Sequence, residues 1–258
     1  MDRLPFKHEE EFTLTQSPNP EWVQGQKQVP SMGLATEENT TTFVAEEIDK
    51  ALRYKLLVGG VAPRPIAFVS SQSPEGVQNL APFSYFNIVG HDPATIVFSV
   101  ARSLNGPKDT AKNILSTKEF VVNIMSEWFL ESANYTAIDA PDMVSEFELS
   151  GLTPYPSDLV KPPRVAESAY AMECKLIHHY PLQNHEERIT HDVMIGQVLA
   201  WKVRNEILGE KNRIDYTQYK PLGRLGGIMY SRVNQGFEIP RPTWEQEKDA
   251  LKKGEDKV

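Results

Sequence analysis

Residues 77–87 read VQNLAPFSYFN, directly after IAFVSSQSPEG at 66–76. Both stretches are apolar enough for buried strands, and the SPEG between them is a turn signal. Yet 77–87 places Asn79, Pro82, Ser84 and Asn87 among apolar neighbours. A plain core strand has no use for a proline, which cannot donate to a ladder and belongs at an edge or a bend. Buried asparagines and serines are costly unless they find partners. The segment therefore carries a proline and polar groups that a plain core strand does not explain, and the question is what it is folded around.

Strand patterns continue outward from it. TIVFSV (95–100) alternates, with Ile96, Phe98 and Val100 on one side, and FVVNI (120–124) alternates too. AYAMECKLIHHY (169–180) sets Tyr170, Met172, Cys174 and Leu176 on one face and Glu173 and Lys175 on the other. HDVMIGQVLAW (191–201) sets Val193, Ile195, Leu199 and Trp201 on one face. Period two of this kind marks half-buried antiparallel strands. A helix is expected near 44–57, from Val44, Ile48, Leu52 and Leu56, stopped by Gly59 and Gly60. Short helices are expected near 110–116 and 127–138, and an irregular, proline-rich loop over 150–167. Many strands, few helices and no βαβ rhythm predict a mainly β fold with peripheral helices, a closed or partly closed barrel.

The ends read differently. Residues 1–43 are polar and irregular, an N-terminal arm in which Phe12 and Trp22 are either anchors or part of a loosely held tail. Residues 44–238 form the folded domain, and 239–258 a charged tail.

The 258 residues carry a formal net charge of −8, which argues against nucleic-acid binding and against docking on anionic membranes. No apolar run is long enough to span a bilayer. Cys174, the only cysteine, excludes an intrachain disulfide. It points to a reducing compartment, with the cytoplasm as the default location. In its apolar strand pattern it reads as a buried thiol rather than a nucleophile. His178, His179, His185 and His191 cluster in sequence, but strand neighbours point to opposite faces, and HExxH and CxxC patterns are absent. No metal site is expected. GxSxG, Walker-type and GxGxxG motifs are absent as well.

NGPKDTAKNIL (105–115) offers a device of another kind. Gly106 and Pro107 make a turn, Asp109 can cap a helix from Thr110, and free N–H groups at the helix start favour an anion. Lys108 adds a charge and Thr110 a hydroxyl, a phosphate clamp in outline. The same residues also make an ordinary capped helix with a solvated lysine.

In order, PRPIAFVSS, NLAPFSYFN, DPATIVFSV, KDTAKNI, EFVVNI, THDVMIGQVLAW and PLGRLGGIMYSR resemble the flavin reductase-like family of FMN-binding split barrels, over roughly residues 45–235. The resemblance implies a split β-barrel, a homodimer and FMN, or FAD in its place, in a cleft near the subunit interface. It implies flavin contacts from Ser70 and Ser71 and from Asn79, Ala81 and Pro82 along the ring edge. Ser84, Phe86 and Asn87 would lie toward the ribityl and phosphate end. Lys108, Asp109 and Thr110 would hold the phosphate, with Arg64 as a further charge. His191 stands where many members carry a histidine in a Gly-Asp-His segment. Here the segment is Ile-Thr-His, so a nicotinamide-facing catalytic histidine and a structural one both stand. The implied activity is an oxidoreductase that takes hydride from NADH or NADPH onto flavin N5. An FMN enzyme acting on a small organic substrate, and a flavin binder without turnover, are the alternatives. A split-barrel oxidase of the pyridoxamine-phosphate type would bind the same cofactor but departs from this series of motifs.

Overall fold

The computed structural model describes residues 4–8, 11–245 and 248. Most of the charged tail expected over 239–258 lies outside the described residues. The chain divides into two units, one of residues Phe43–Val233 and one of the described residues of 1–42 and 234–258. In the second, Thr13–Thr15 pairs in parallel with Gln235–Phe237, which joins the segment before the larger unit to the one after it. Trp22 there is exposed, and its ring nitrogen donates to Gln26 O at 2.8 Å, closing its own turn.

The unit 43–233 is built on one antiparallel sheet. Its strands are β1 (Ala67–Gln72), β2 (Gln78–Phe83), β3 (Phe86–His91), β4 (Ala94–Ala101), β5 (Glu119–Ile124), β6 (Tyr170–Gln183) and β7 (Ile189–Val203). They lie in the order β2-β1-β5-β6-β7-β4-β3. The edge strands β2 and β3 are consecutive in sequence, separated by Ser84 and Tyr85 alone. In a flat sheet the two edges would stand about 29 Å apart, six strand spacings. The chain from Phe83 to Phe86 reaches at most about 11 Å. The sheet therefore curls until its edges approach, yet β2 and β3 do not pair and the barrel stays open. Pro82 sits on the edge strand β2, where its missing N–H does least harm.

The inside of the curl is the main core. Ala67, Val69, Ile96, Phe98, Val100, Phe120, Val122, Met172, Cys174, Leu176, Met194 and Val198 fill it. Helix α2 (Asp109–Thr117) supplies Ala111 and Ile114 to the same core. Phe98 packs on Phe83 and Phe120 with ring centroids 5.5 and 5.4 Å away. A second core forms outside β1 and β2, where Ile66, Phe68 and Leu80 meet Phe129, Ala133 and Phe147. Those partners come from a short turn ending at Phe129, from α3 (Leu130–Tyr135) and from α4 (Glu146–Ser150).

Several expectations shift. The first helix, α1, spans Lys50–Gly60, not 44–57. Asp49 caps it by accepting Leu52 N–H at 2.8 Å, and Pro63 prevents continuation. Gly59 and Gly60 belong to its last turn. Only Val58 of this helix is buried, so the spacing of Val44, Ile48, Leu52 and Leu56 does not mark a core stripe. β5 is buried on both faces, since Val121 packs with Val160 and Ala171 on the side away from the barrel core. Glu173 is fully buried, its carboxylate accepting the N–H groups of Asp158 and Leu159. On β7 the core residues are Met194 and Val198, while Leu199 and Trp201 are exposed. A strand pattern alone cannot say which of two apolar faces turns inward. The 150–167 segment is largely irregular, with one small ladder of Pro154–Tyr155 on Arg164–Val165.

Gly196 on β7 leaves room for the Phe120 ring, since a Cβ there would lie 2.4 Å from Phe120 Cζ. Gly196→Ala is expected to cost about 1–3 kcal/mol by overpacking and to lower Tm by roughly 3–10 °C, measured by calorimetry.

Candidate functional site

A cleft of about 470 Å³ lies between the β2 edge, the start of α2 and the segment that joins α3 to α4. Each wall follows from local sequence. β2 presents Asn79, Ala81, Pro82 and Phe83. The turn before α2 presents Ser103, Asn105 and Pro107. It closes through Gly106, whose φ of 116° favours glycine. The helix start presents Lys108, Asp109, Thr110 and Lys112, and the third wall carries Ile138, Asp139, Asp142 and Glu146.

Helix α2 begins at Asp109, one residue earlier than the motif suggests, so Lys108 occupies the cap position. A lysine side chain cannot accept a hydrogen bond, and Lys108 makes no side-chain cap. Asp109 instead pairs with Lys112 at 3.1 Å. The start of the helix, where backbone donors and the positive end of the dipole are found, thus lines the cleft without a cap from its own N-cap side chain. Asn79 Nδ2 donates to Thr110 Oγ1 at 2.8 Å. That bond fixes both side chains and leaves the Thr110 hydroxyl proton available as a donor.

The cleft is also acidic. Lys108 Nζ lies 2.8 Å from Asp139, and Lys112 Nζ lies 2.9 Å from Asp142. These hydrogen bonds hold both aspartates below the usual carboxylate range and raise Lys112. Glu146 is only 5% exposed, and one of its oxygens accepts Leu80 N–H at 2.9 Å. Burial pushes its pKa up, and the nearby Asp109 charge adds to that.

The cleft thus gathers Asn79, Ala81, Pro82, Lys108, Asp109 and Thr110 from the sequence-derived set, and the remaining members lie elsewhere. Arg64 is buried and spends its guanidinium on structure: Nε donates to Ser84 Oγ at 3.2 Å, Nη1 to the carbonyls of Val58 and Val61, and Nη2 to Leu225 O at 3.0 Å. Ser84 is thereby the partner of Arg64. Ser70 points to the outer face and donates to Pro163 O, while Ser71 Oγ accepts from Asn113 Nδ2 at 3.2 Å. Phe86 packs on the barrel core. Asn87 is exposed and accepts the N–H of Ile88 at 2.8 Å.

His191 is also outside the cleft. Its ring lies 6.1 Å from that of Tyr85, with Nδ1 3.0 Å from Thr190 Oγ1. Burial lowers its pKa, the Lys50 charge lowers it further and Asp192 partly opposes. Among the described residues no group of three or more His, Cys, Asp or Glu is placed to hold a metal ion, and no helix is long and apolar enough to cross a membrane.

Sequence reading missed the third wall. Nothing in AIDAPDM (137–143) marks Asp139 and Asp142 as neighbours of Lys108 and Lys112, because the contact spans about thirty residues. Lys112 had a signal, one helical turn beyond Lys108.

Next to His191, Asp192 is fully buried and binds Arg102 through both oxygens at 2.7 Å and His179 at 2.8 Å. Burial alone would raise its pKa, but the bonds and charges of Arg102 and His179 win and lower it. The folded value lies below the unfolded one. The stabilisation is therefore complete above the ordinary aspartate pKa and is lost as pH falls through the folded value. Asp192→Asn is expected to cost about 2–4 kcal/mol at neutral pH by stranding two partners. In urea unfolding, its deficit against the wild type should shrink as the pH is lowered below about 4.

Comparison with known proteins places this geometry. Residues 59–223 match the flavin reductase like domain. Nitrilotriacetate monooxygenase component B from Bacillus cereus superposes with a TM-score of 0.75 at 40% identity, covering 78% of this chain and 98% of that one. The 2-nitrobenzoate 2-nitroreductase of Pseudomonas fluorescens gives 0.70 at 33%, covering 79% and 98%. A split-barrel domain protein of Shewanella frigidimarina gives 0.64 at 20% identity, covering 80% and 100%, and shares the fold. The open seven-stranded curl is thus a split barrel of few helices, and the chain belongs to the flavin reductase-like family.

Proposed function

We propose that the protein is an FMN-dependent oxidoreductase that binds the flavin in the β2–α2 cleft and accepts electrons from NADH or NADPH. The observation that carries this reading is the polarity of the cleft. Apolar Ala81, Pro82, Phe83 and Ile138 line it together with a helix start that carries Lys108 and Lys112 and has no cap from its N-cap side chain. Flavin is a flat ring with polar edges and an anionic tail, and a site for it needs apolar walls, a few fixed polar groups and an anion clamp. The donor set fits. Thr110 and the first turn of α2 would bind the phosphate, with Lys108 and Lys112 adding charge. Ala81 admits the ring, and Asn79 holds Thr110 in place. When bound, the flavin supplies a hydride-accepting centre at N5, so no side-chain acid or base is required of the protein.

Arg64, Ser70, Ser71, Ser84 and Phe86 would act on this site through the wall they build. FAD in place of FMN would have to extend its adenylate beyond the helix start. A homodimer, with a second copy beside the cleft, and a cytoplasmic location complete the proposal. A second reading, reduction of a small organic substrate such as a nitroaromatic, is favoured by the 33% identity to the Pseudomonas nitroreductase.

The absorbance spectrum of the purified protein tests the proposal. Flavin bands should co-purify or appear on adding FMN, and should bleach with NADH or NADPH. FMN at about 100 times its Kd should stabilise the fold by roughly 2.7 kcal/mol, a Tm rise of about 5–10 °C. No flavin binding would overturn the proposal. Tight flavin without bleaching by either nicotinamide would leave a flavin binder or a different electron donor.

Replacing Lys108 and Thr110 together with Ala is expected to weaken FMN about tenfold or more and riboflavin little, because only FMN carries the phosphate. Equal losses by fluorescence titration would remove the phosphate from this end of the cleft.

A further inference from the structure

The anion end of the cleft is electrically contested. Two ammonium groups, on Lys108 and Lys112, face four carboxylates, on Asp109, Asp139, Asp142 and Glu146. With all six ionised the lining carries a formal charge of −2. A phosphate monoester would add roughly −1.5 to −2 more at neutral pH. Both lysines already have carboxylate partners. Lys108 is paired with Asp139, and Lys112 with Asp109 and Asp142.

The partners differ in kind. Asp109 belongs to the same helix turn as Lys112 and helps to orient it. Asp139 and Asp142 come from the separate segment between α3 and α4, and their side chains are 88% and 72% exposed. Exposed pairs of this sort are weak and rearrange readily, so a phosphate can displace them. It must do so against their competition, and the carboxylates then remain nearby as like charges.

We propose that Asp139 and Asp142 are specificity-determining residues for the tail of the bound flavin. They compete with a terminal phosphate for Lys108 and Lys112, and so hold the affinity for a phosphate-ended flavin below what the lysines and the helix start would give alone. This rests on the assignment of the cleft as the flavin site. The isoalloxazine walls lie on other residues, Ala81, Pro82 and Phe83, so the competition acts on the tail and spares the ring. Riboflavin, with the same ring and no phosphate, is the control ligand.

The test is fluorescence titration of the full chain with FMN and with riboflavin at low ionic strength, for the wild type and for Asp139→Asn with Asp142→Asn. Both side chains are exposed, so the fold is expected to survive, and a melting curve checks it. The expected result is a gain in FMN affinity of about three- to thirtyfold, with riboflavin changed less than about twofold. A second comparison isolates the route: in a Lys108→Gln background, Asp139→Asn should give a clearly smaller gain for FMN than it does with Lys108 present, because only the like-charge repulsion is then relieved. An unchanged or weakened FMN affinity, an equal gain for riboflavin, or a gain undiminished by the loss of Lys108 would overturn the inference while leaving the flavin site intact. Failure of wild type and variant to bind either flavin would overturn the functional assignment and this inference together.

Discussion

Two residues, Ser84 and Tyr85, separate the strands that form opposite edges of a seven-stranded sheet. So short a link cannot cross a flat sheet, and the curl follows from it. Arg64 secures the crossing. Its guanidinium reaches Ser84 in the link, the carbonyls of Val58 and Val61 at the end of α1, and Leu225 O. One buried side chain thus ties the link to the end of α1 and to Leu225. An arginine suits this position because its donors lie in a fixed plane and fan out to several acceptors at once.

The open edge that results is where the cleft forms. A sheet edge exposes backbone and side chains that a closed barrel would cover. β2 contributes small and apolar residues there, and the uncapped start of α2 contributes donors. The two are locked by the Asn79–Thr110 bond. Beneath them the main core is continuous with α2 through Ala111 and Ile114, so the helix start is held by packing rather than by its own cap. The anion site we propose there would gain from that arrangement, because a capping side chain would occupy the donors a ligand needs.

Charge sets the character of the site as much as shape does. The chain is acidic overall, and the cleft follows suit, with Asp139, Asp142 and Glu146 arriving from a segment remote in sequence. Glu146 is partly a structural acceptor for Leu80 N–H, which explains a carboxylate in so buried a place. The Arg102–Asp192–His179 cluster shows a different use of buried charge: it pins the end of β4 to β7 and β6, beside His191.

The sequence alone determined the mainly β class, the strands and the family resemblance, because period-two patterning and ordered motifs are local properties. It also marked the two chemically unusual stretches, 77–87 and 105–115, that meet at the cleft. Tertiary structure alone decided which apolar face of β7 turned inward, since both faces carry apolar residues and only packing against Phe120 and its neighbours chooses between them. It decided the fate of Arg64, Ser70, Ser71 and Ser84, whose polar groups are consumed by partners as remote in the chain as Leu225, Pro163 and Asn113. It also decided that the lysines of KDTAKNI meet aspartates from 139 and 142. Such long-range pairings leave no periodic trace, because they depend on where the curl of the sheet brings distant segments, and not on what stands beside each residue in the chain.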